Sequence, residues 1–449
     1  MGHLTAQEAL AIKEGVQRRR TPQTLVENKW SVSPLNQRPE VIGSAAPTRV
    51  LLRDITLRTI EQTPGVWVNE LQRRHIAEAL VQAGVSAVQL AWLAVEAAYD
   101  AKKEIAFIKK LNPAVEVSII GGTSERIDIA VDAGADLYLA YGPIVPEFQT
   151  IHGPYARQIL RAHARGEDWR RTIPYPKNEA EHLERLQSDV RHAKGKGLKA
   201  GMFASMIHYA TVDEIKNFAK AAHEVGADEI GLGDGASGLA PEAWRYIISL
   251  MRKEAPATRI GVHTHNAFGL AGACALASVQ AGAEVVEVSV NHLCSAAGQA
   301  DLAEMAASLE ILYGIPTGVD LSRLTGLRKL IEDMTGVRMA PNKAVTGSDV
   351  WTYTEEAIFE EEQYAPVHKA VNPAVFGAEA NYVLGRFSGA SGAWALRAKL
   401  AEAGIEMSDS RMADLLKRLK EVMEVRRRTL TDGELVEVAR DLVLFETRA

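Results

Sequence analysis

The stretch Gly261-Val262-His263-Thr264-His265-Asn266 carries two histidines, two residues apart, in an apolar setting. In a β-strand, residues i and i+2 point to one side, so both imidazoles would face the same way. At a strand's end such a pair is a ready set of ligands, because imidazole suits several divalent ions. Without an ion the same two rings are an acid and a base that work near neutral pH. Two hydrogen-bonded core histidines would satisfy the pattern equally well. The elements that position the pair decide between these readings.

Those elements repeat one device. Four segments run from a helix end through a glycine and one or two small residues into an apolar strand. They are Gln82-Ala83-Gly84-Val85 before 87–90 and Asp132-Ala133-Gly134-Ala135-Asp136 before 137–139. The others are Glu224-Val225-Gly226-Ala227-Asp228 before 230–232 and Gln280-Ala281-Gly282-Ala283-Glu284 before 285–288. Glycine just past a helix takes the left-handed position without a Cβ clash, and a strand that follows at once belongs to a parallel α/β fold. Segments 50–53, 115–120, 198–203 and 259–263 fill the gaps, which makes eight strands with helices between. The count and length predict a TIM (β/α)8 barrel. An open doubly wound sheet fits less well, since no G-x-G-x-x-G follows the first strand.

In such a barrel, chemistry gathers at the C-terminal ends of the strands. Arg58 would follow the first strand, Gln89 lie in the second, Tyr141 follow the fourth and His208 the fifth. Asp234 would follow the sixth, the histidine pair the seventh and Asn291 the eighth. Residues 146–180 form a long insertion with Arg157, Arg161, Arg165, Arg170, Arg171 and Trp169. It reads as a lid-like clamp for an anionic group or as a solvated helix face. Ahead of the barrel (49–318), residues 1–48 read as an arm: a helix over 4–20, then loop, laid against a neighbouring surface. Behind it, residues 319–449 read as a mostly helical appendage, with helices over 321–335, 354–362, 396–403 and 412–425.

Composition narrows the function by exclusion. At 449 residues the chain can form one large barrel plus an appendage. A net charge of -6 gives no hint of a nucleic-acid partner. No run of about 18 apolar residues exists to span a membrane. The two cysteines, Cys274 and Cys294, cannot build a disulfide framework, and the N-terminus has no apolar signal segment. A cytoplasmic enzyme is the expectation.

Five segments, in order, resemble the DRE-TIM metallolyases, and among them the 2-isopropylmalate and homocitrate synthases. Asp54-Ile55-Thr56-Leu57-Arg58-Thr59-Ile60-Glu61-Gln62-Thr63-Pro64-Gly65 looks like their opening D-T-T-L-R-D-G-E-Q-x-P-G. His263-Thr264-His265-Asn266-Ala267-Phe268-Gly269-Leu270-Ala271 is similar to H-x-H-N-D-x-G-L-A, and Ala297-Gly298-Gln299-Ala300-Asp301-Leu302 to A-G-N-A-x-L. Pro341-Asn342-Lys343-Ala344 resembles P-P-N-K, and Val383-Leu384-Gly385-Arg386-Phe387-Ser388-Gly389 resembles V-L-G-K-H-S-G. The likeness spans residues 50 to about 405. It implies the pyruvate carboxyltransferase type of barrel, followed by helical subdomains, in a homodimer.

The resemblance also implies a chemistry. A divalent ion (zinc, manganese or magnesium) holds a small carboxylated substrate, and a carbon–carbon bond next to a carbonyl is made with an acyl-CoA or broken. Arg58, His263 and His265 match the family's residues. Thr59 stands where an acidic ligand is usual, Gln89 replaces a glutamate and Gln299 an asparagine near the metal. Gly235 replaces a substrate-binding threonine, Ala267 an aspartate, and Tyr353 and Phe387 replace histidines. Candidate ligands are therefore His263 and His265 with Asp54. Arg58, Tyr353 and His208 are the candidates for catalysis, and Gln62, Gln89, Tyr141, Asp234, Asn291 and Gln299 for substrate binding. A phenol with a pKa near 10 donates a proton more naturally than it accepts one, so Tyr353 speaks against a standard synthase and for a lyase, decarboxylase or aldol-type reaction, or a synthase with unusual substrates. The alternative is a relative that keeps the barrel for binding or assembly. Retention of Arg58 with both histidines favours the enzyme.

Overall fold

The computed structural model describes residues 4–91, 101–173, 175–354, 365–385 and 393–446. The acidic helix expected over 354–362 lies, beyond Thr354, outside the described residues. So do Arg386, Phe387, Ser388 and Gly389 of the last motif.

Eight parallel strands close into a barrel: β1 (Leu51–Asp54), β2 (Ala87–Ala91), β3 (Glu116–Gly121), β4 (Leu137–Pro143), β5 (Lys199–Ser205), β6 (Glu229–Asp234), β7 (Arg259–Thr264) and β8 (Val285–Val288). β8 returns to β1 with Glu287 opposite Arg53. The TIM barrel is thus the fold, with a helical C-terminal region. All four glycines of the repeat take positive φ, from 68° at Gly226 to 110° at Gly282. At Gly84 (φ +80) a Cβ would also stand 2.5 Å from the Gly318 carbonyl oxygen, so the turn requires glycine.

The barrel interior has an apolar half and an ionic half. Ile120, Leu137, Leu139, Tyr141 and Phe203 form one buried cluster. The Phe203 ring fills the room left by Gly231 and Gly233 on the neighbouring strand. Across from it, the buried Arg53 donates through Nη1 to Glu229 Oε1 (2.6 Å) and through Nη2 to Glu229 Oε2 (2.8 Å) and Glu116 Oε1 (3.0 Å). Arg259 adds Nε to Glu229 Oε2 (2.7 Å) and Nη2 to Glu116 Oε1 (2.9 Å). Burial alone would lower the pKa of Arg53, but Glu229, Glu287 and Glu116 together raise it, so the guanidinium stays charged. Removing one partner from such a buried network strands a charge and costs about 3–5 kcal/mol. The mouth therefore stands on a fixed, charge-paired floor.

Between β4 and β5 the long insertion is helical, with Pro154–Ala164 and Trp169–Thr172 ahead of Glu179–Gly195. Its root is pinned: Gln149 Nε2 donates to the Pro143 carbonyl (3.3 Å) and lies 2.9 Å from His182 Nδ1. Several of its arginines have local partners. Arg165 and Arg171 pair with Glu167 and Asp168, and the Arg170 guanidinium lies 4.4 Å from the centre of the Trp169 ring.

The chain folds as two compact units, Leu35–Met339 in one and Met1–Pro34 with Ala340–Ala449 in the other. In the first, the helix Leu324–Thr335 is tied down by Asn291 Nδ2 on the Arg328 carbonyl (3.1 Å) and Gln72 Nε2 on the Met334 carbonyl (2.9 Å). In the second, the helix Ala6–Arg18 is followed by a hairpin, Leu25–Val26 against Trp30–Ser31, where the sequence suggested loop. Asn28, at φ +59, turns it. The hairpin lies on the chain's own residues: Ser31 N donates to the Ala370 carbonyl (2.8 Å) and Asn372 N to that of Lys29 (2.7 Å). Helices Ala393–Glu402, Asp409–Arg426 and Asp432–Glu446 share a core built on Leu400, Leu415, Leu419 and Leu435. The third of these is absent from the sequence reading, although Thr431 and Glu434 exchange the hydrogen bonds of a capping box at its start. Among the described residues no helix is long and apolar enough to cross a membrane.

Candidate active site

His263 is the next-to-last residue of β7, and strand alternation turns Arg259, Gly261 and His263 inward together. His265 follows the strand's end, where its backbone bridges that of Gln299. Glu287 enters from β8, Gln89 from β2, and Arg58 from the short helix Thr56–Thr59 after β1. The barrel therefore brings Arg58, Gln89 and both histidines to one place.

One run of polar contacts links them. Arg58 Nη1 donates to Gln89 Oε1 and lies 3.5 Å from Glu287 Oε2. Gln89 Nε2 donates to Glu287 Oε1 (2.8 Å). Glu287 Oε2 is 3.0 Å from His263 Nδ1, and His263 Nε2 is 2.8 Å from His265 Nε2. At its lower side Glu287 Oε1 is 3.8 Å from Arg53, so the run rests on the ionic floor.

The protonation states follow from burial and neighbours. Burial pushes the Glu287 carboxyl up, but Arg58, His263 and Arg53 outweigh it and hold the pKa down at about 2. Burial lowers the pKa of His263, with Arg58 adding to the effect against the opposing pull of Glu287. Burial, His263 and Arg58 bring His265 to about 3. At neutral pH both rings are therefore neutral beside an ionised carboxylate. A carboxylate only accepts, so the His263 proton sits on Nδ1 and its Nε2 carries a lone pair. His265 Nε2–H then bridges to it.

Glu287 is the residue that sequence reasoning missed. Its signal was a single glutamate inside Val285-Val286-Glu287-Val288, a strand buried on both faces.

The other candidates have different settings. His208 Nδ1 faces Asp234 Oδ1 at 2.8 Å, a second pair at the same strand ends. Tyr141 is buried with its hydroxyl 2.6 Å from His152 Nε2 of the insertion. Asn291 is buried at φ +60 and serves the helix Leu324–Thr335, while the exposed Gln62 accepts from Cys294 Sγ at 3.5 Å. Tyr353 belongs to the other compact unit, where the Lys369 ammonium stands 5.2 Å from its ring centre. Asp54 alternates away from the inward Arg53, and Thr56 N (2.8 Å) and Thr56 Oγ1 (3.0 Å) donate to its two oxygens. Burial raises its pKa to about 7.

The fit to a divalent ion turns on donor atoms. Two Nε2 atoms converge, and a carboxylate behind Nδ1 of one of them is the usual support of a metal-binding histidine. Gln299 is wholly buried and neither end of its amide has a partner among the described residues. Opposite His265 in the bridge, it lies on the same face as that ring. Thr59, at the position of the family's acid, donates its hydroxyl to the Leu293 carbonyl (2.8 Å). Among the described residues no three His, Cys, Asp or Glu side chains gather as a metal cluster. The set on hand is two imidazole nitrogens and one amide oxygen: neutral, and suited to zinc-like ions over magnesium.

The family model described as HMGL-like matches residues 168–331. A Methanopyrus kandleri protein, provisionally named (R)-citramalate synthase CimA, is 31% identical over 404 residues, covering 88% of this chain and 73% of the relative. Homocitrate synthase AksA of the same organism is 29% identical over 403 residues, covering 88% and 93%. The structure of HMG-CoA lyase from Brucella melitensis superposes with a TM-score of 0.53 at 19% identity, covering 64% of this chain and all of that one.

Proposed function

Because the chain belongs to the HMGL-like, or DRE-TIM, family, we propose that it makes or breaks a carbon–carbon bond next to a carbonyl in a small carboxylated substrate. The substrate class is a 2-oxo acid, with acyl-CoA as the co-substrate. The observation that carries this reading is the run Arg58–Gln89–Glu287–His263–His265 at the barrel mouth.

Among the described residues Arg58 keeps N–H donors beyond those on Gln89 and Glu287, enough to take a carboxylate or enolate oxygen. Glu287 fixes that guanidinium and the tautomer of His263 at once, so neither has to reorganise when charge develops on the substrate. Burial of this run excludes water from the reacting carbons and strengthens each electrostatic contact. Gln299 Oε1 and the two Nε2 atoms would hold a divalent ion, which when bound supplies Lewis-acid polarisation of the carbonyl. With no carboxylate in the set, the substrate's own negative charge contributes more to holding the ion than in a site built on an acid. The exchanges at Thr59, Gly235 and Gln299 alter the mouth where named synthases bind substrate and metal. The reading is therefore of a divergent substrate within the shared reaction type.

The test is turnover of the purified full chain with a panel of 2-oxo acids, with and without acetyl-CoA and added zinc or manganese. Loss of 2-oxo acid and release of free CoA are followed. The expected result is turnover with at least one pair, abolished in His263→Ala. Full turnover in that variant would dismiss the site. Bound ligand without turnover in the wild type would favour a binding relative.

A further inference from the structure

The run through Glu287 leaves one pair at the mouth unused. His208 stands on the turn Ile207–Tyr209 after β5, and Asp234 ends β6. The imidazole Nδ1 lies 2.8 Å from Asp234 Oδ1, an ion-pair contact without full hydrogen-bond alignment. Asp234 is 1% exposed and held by Ala236 N (3.2 Å) and Leu239 N (2.9 Å). Nδ1 is sealed from solvent, Nε2 has no partner among the described residues, and the side chain as a whole is 11% exposed.

The ring has little freedom. Tyr209 lies against it with ring centres 4.4 Å apart. Gly238 backs it so closely that a Cβ there would come to 2.9 Å from His208 Cβ. The backbone is left-handed on both sides of the pair, at Met206 (φ +58) and Ser237 (φ +57), a conformation side-chain-bearing residues seldom take without a constraint. Ser237 Oγ accepts from Ala267 N (3.0 Å), which joins this loop to the one after His265. β6 and β7 pair with Gly233 opposite His263 and Asp234 opposite Thr264, so the two histidine systems occupy adjacent strand ends.

We propose that His208, oriented by Asp234, is a second acid–base group of the mouth, and that its Nε2 takes a proton from the carbon next to a substrate carbonyl. The inference rests on the carbon–carbon bond reading above. In this step the Nε2 lone pair takes up the proton and the C–H electron pair becomes the double bond of an enolate. Asp234 balances the charge gained by the imidazolium, and return of the proton reverses the step. A carboxylate oxygen 2.8 Å from Nδ1 favours the tautomer with the proton on that nitrogen and the lone pair on Nε2.

The experiment is exchange of the α-proton into heavy water, followed by NMR on pyruvate and on acetyl-CoA, with the full-length wild type, H208Q, D234N and H263A. H208Q is expected to lose exchange about 10²-fold or more, with KM little changed. D234N is expected to lower kcat at similar KM and to move the His208 proton from Nδ1 to Nε2, read from nitrogen chemical shifts. Exchange at the wild-type rate in H208Q overturns the assignment. Should H208Q fail to fold, an unmoved tautomer and kcat in D234N overturn it instead. Exchange lost in H263A but intact in H208Q removes His208 alone, whereas an inert wild type removes the parent reading and this assignment with it.

Discussion

Glu287→Gln is the substitution whose consequences the structure defines most closely. The carboxylate is 2% exposed and faces Gln89 Nε2 at 2.8 Å, His263 Nδ1 at 3.0 Å, Arg58 Nη1 at 3.5 Å and Arg53 Nη1 at 3.8 Å. Its pKa falls from the ordinary 4.5 to about 2 because the surrounding cations and hydrogen bonds outweigh burial. That preference for the charged form is worth roughly 3 kcal/mol at neutral pH. A depressed carboxyl pKa stabilises the fold above the unfolded value, and the contribution is lost as the pH falls from 4.5 towards 2. An amide keeps the shape but removes the charge, so the variant is expected to be about 3 kcal/mol less stable at pH 7. For a unit of this size the melting point should drop by about 5 °C. The assay is urea unfolding of both proteins at pH 7 and at pH 3. The gap should narrow on acidification, because the wild type then loses what the variant never had. A difference under about 1 kcal/mol at pH 7, or one that persists unchanged at pH 3, refutes the role given to this carboxylate.

Asp54→Asn should act in the opposite direction. Burial raises Asp54 to about 7, so ionising it opposes folding as the pH climbs from about 4 to 7. The variant should gain on the wild type by up to about 4 kcal/mol at pH 8, read by the same unfolding series. Arg58→Lys replaces a guanidinium whose Nη1 meets both Gln89 and Glu287 with a single ammonium. Turnover should fall about 10²-fold while bound zinc, measured by elemental analysis, is unchanged. Gly231→Ala would drive a Cβ into the Phe203 ring and is expected to cost about 1–3 kcal/mol in thermal unfolding.

The barrel was legible in the sequence because its turns repeat. Each helix-glycine-strand junction needs a left-handed residue, and Gly84, Gly134, Gly226 and Gly282 supply it. The histidine pair was legible because alternation along a strand is local information. Glu287 was harder to see, since its meaning lies in three residues that are far away in sequence and meet only when the barrel closes. The pairing of His208 with Asp234 has the same character: each residue was visible, but their contact depends on the register of β5 against β6. Asp54 shows the reverse case. Its place in a motif suggested a ligand, whereas Thr56 engages both of its oxygens. The hairpin after the first helix escaped notice because two-residue strands carry too little periodicity to register.

The most direct test is a crystal structure of the full chain soaked with pyruvate and zinc, with anomalous data collected at the zinc edge. The account predicts an oxygen of the 2-oxo acid within hydrogen-bond reach of the Arg58 guanidinium. It also predicts a zinc peak beside the Nε2 atoms of His263 and His265. Pyruvate bound away from Arg58, or a mouth that takes up neither species, would contradict it.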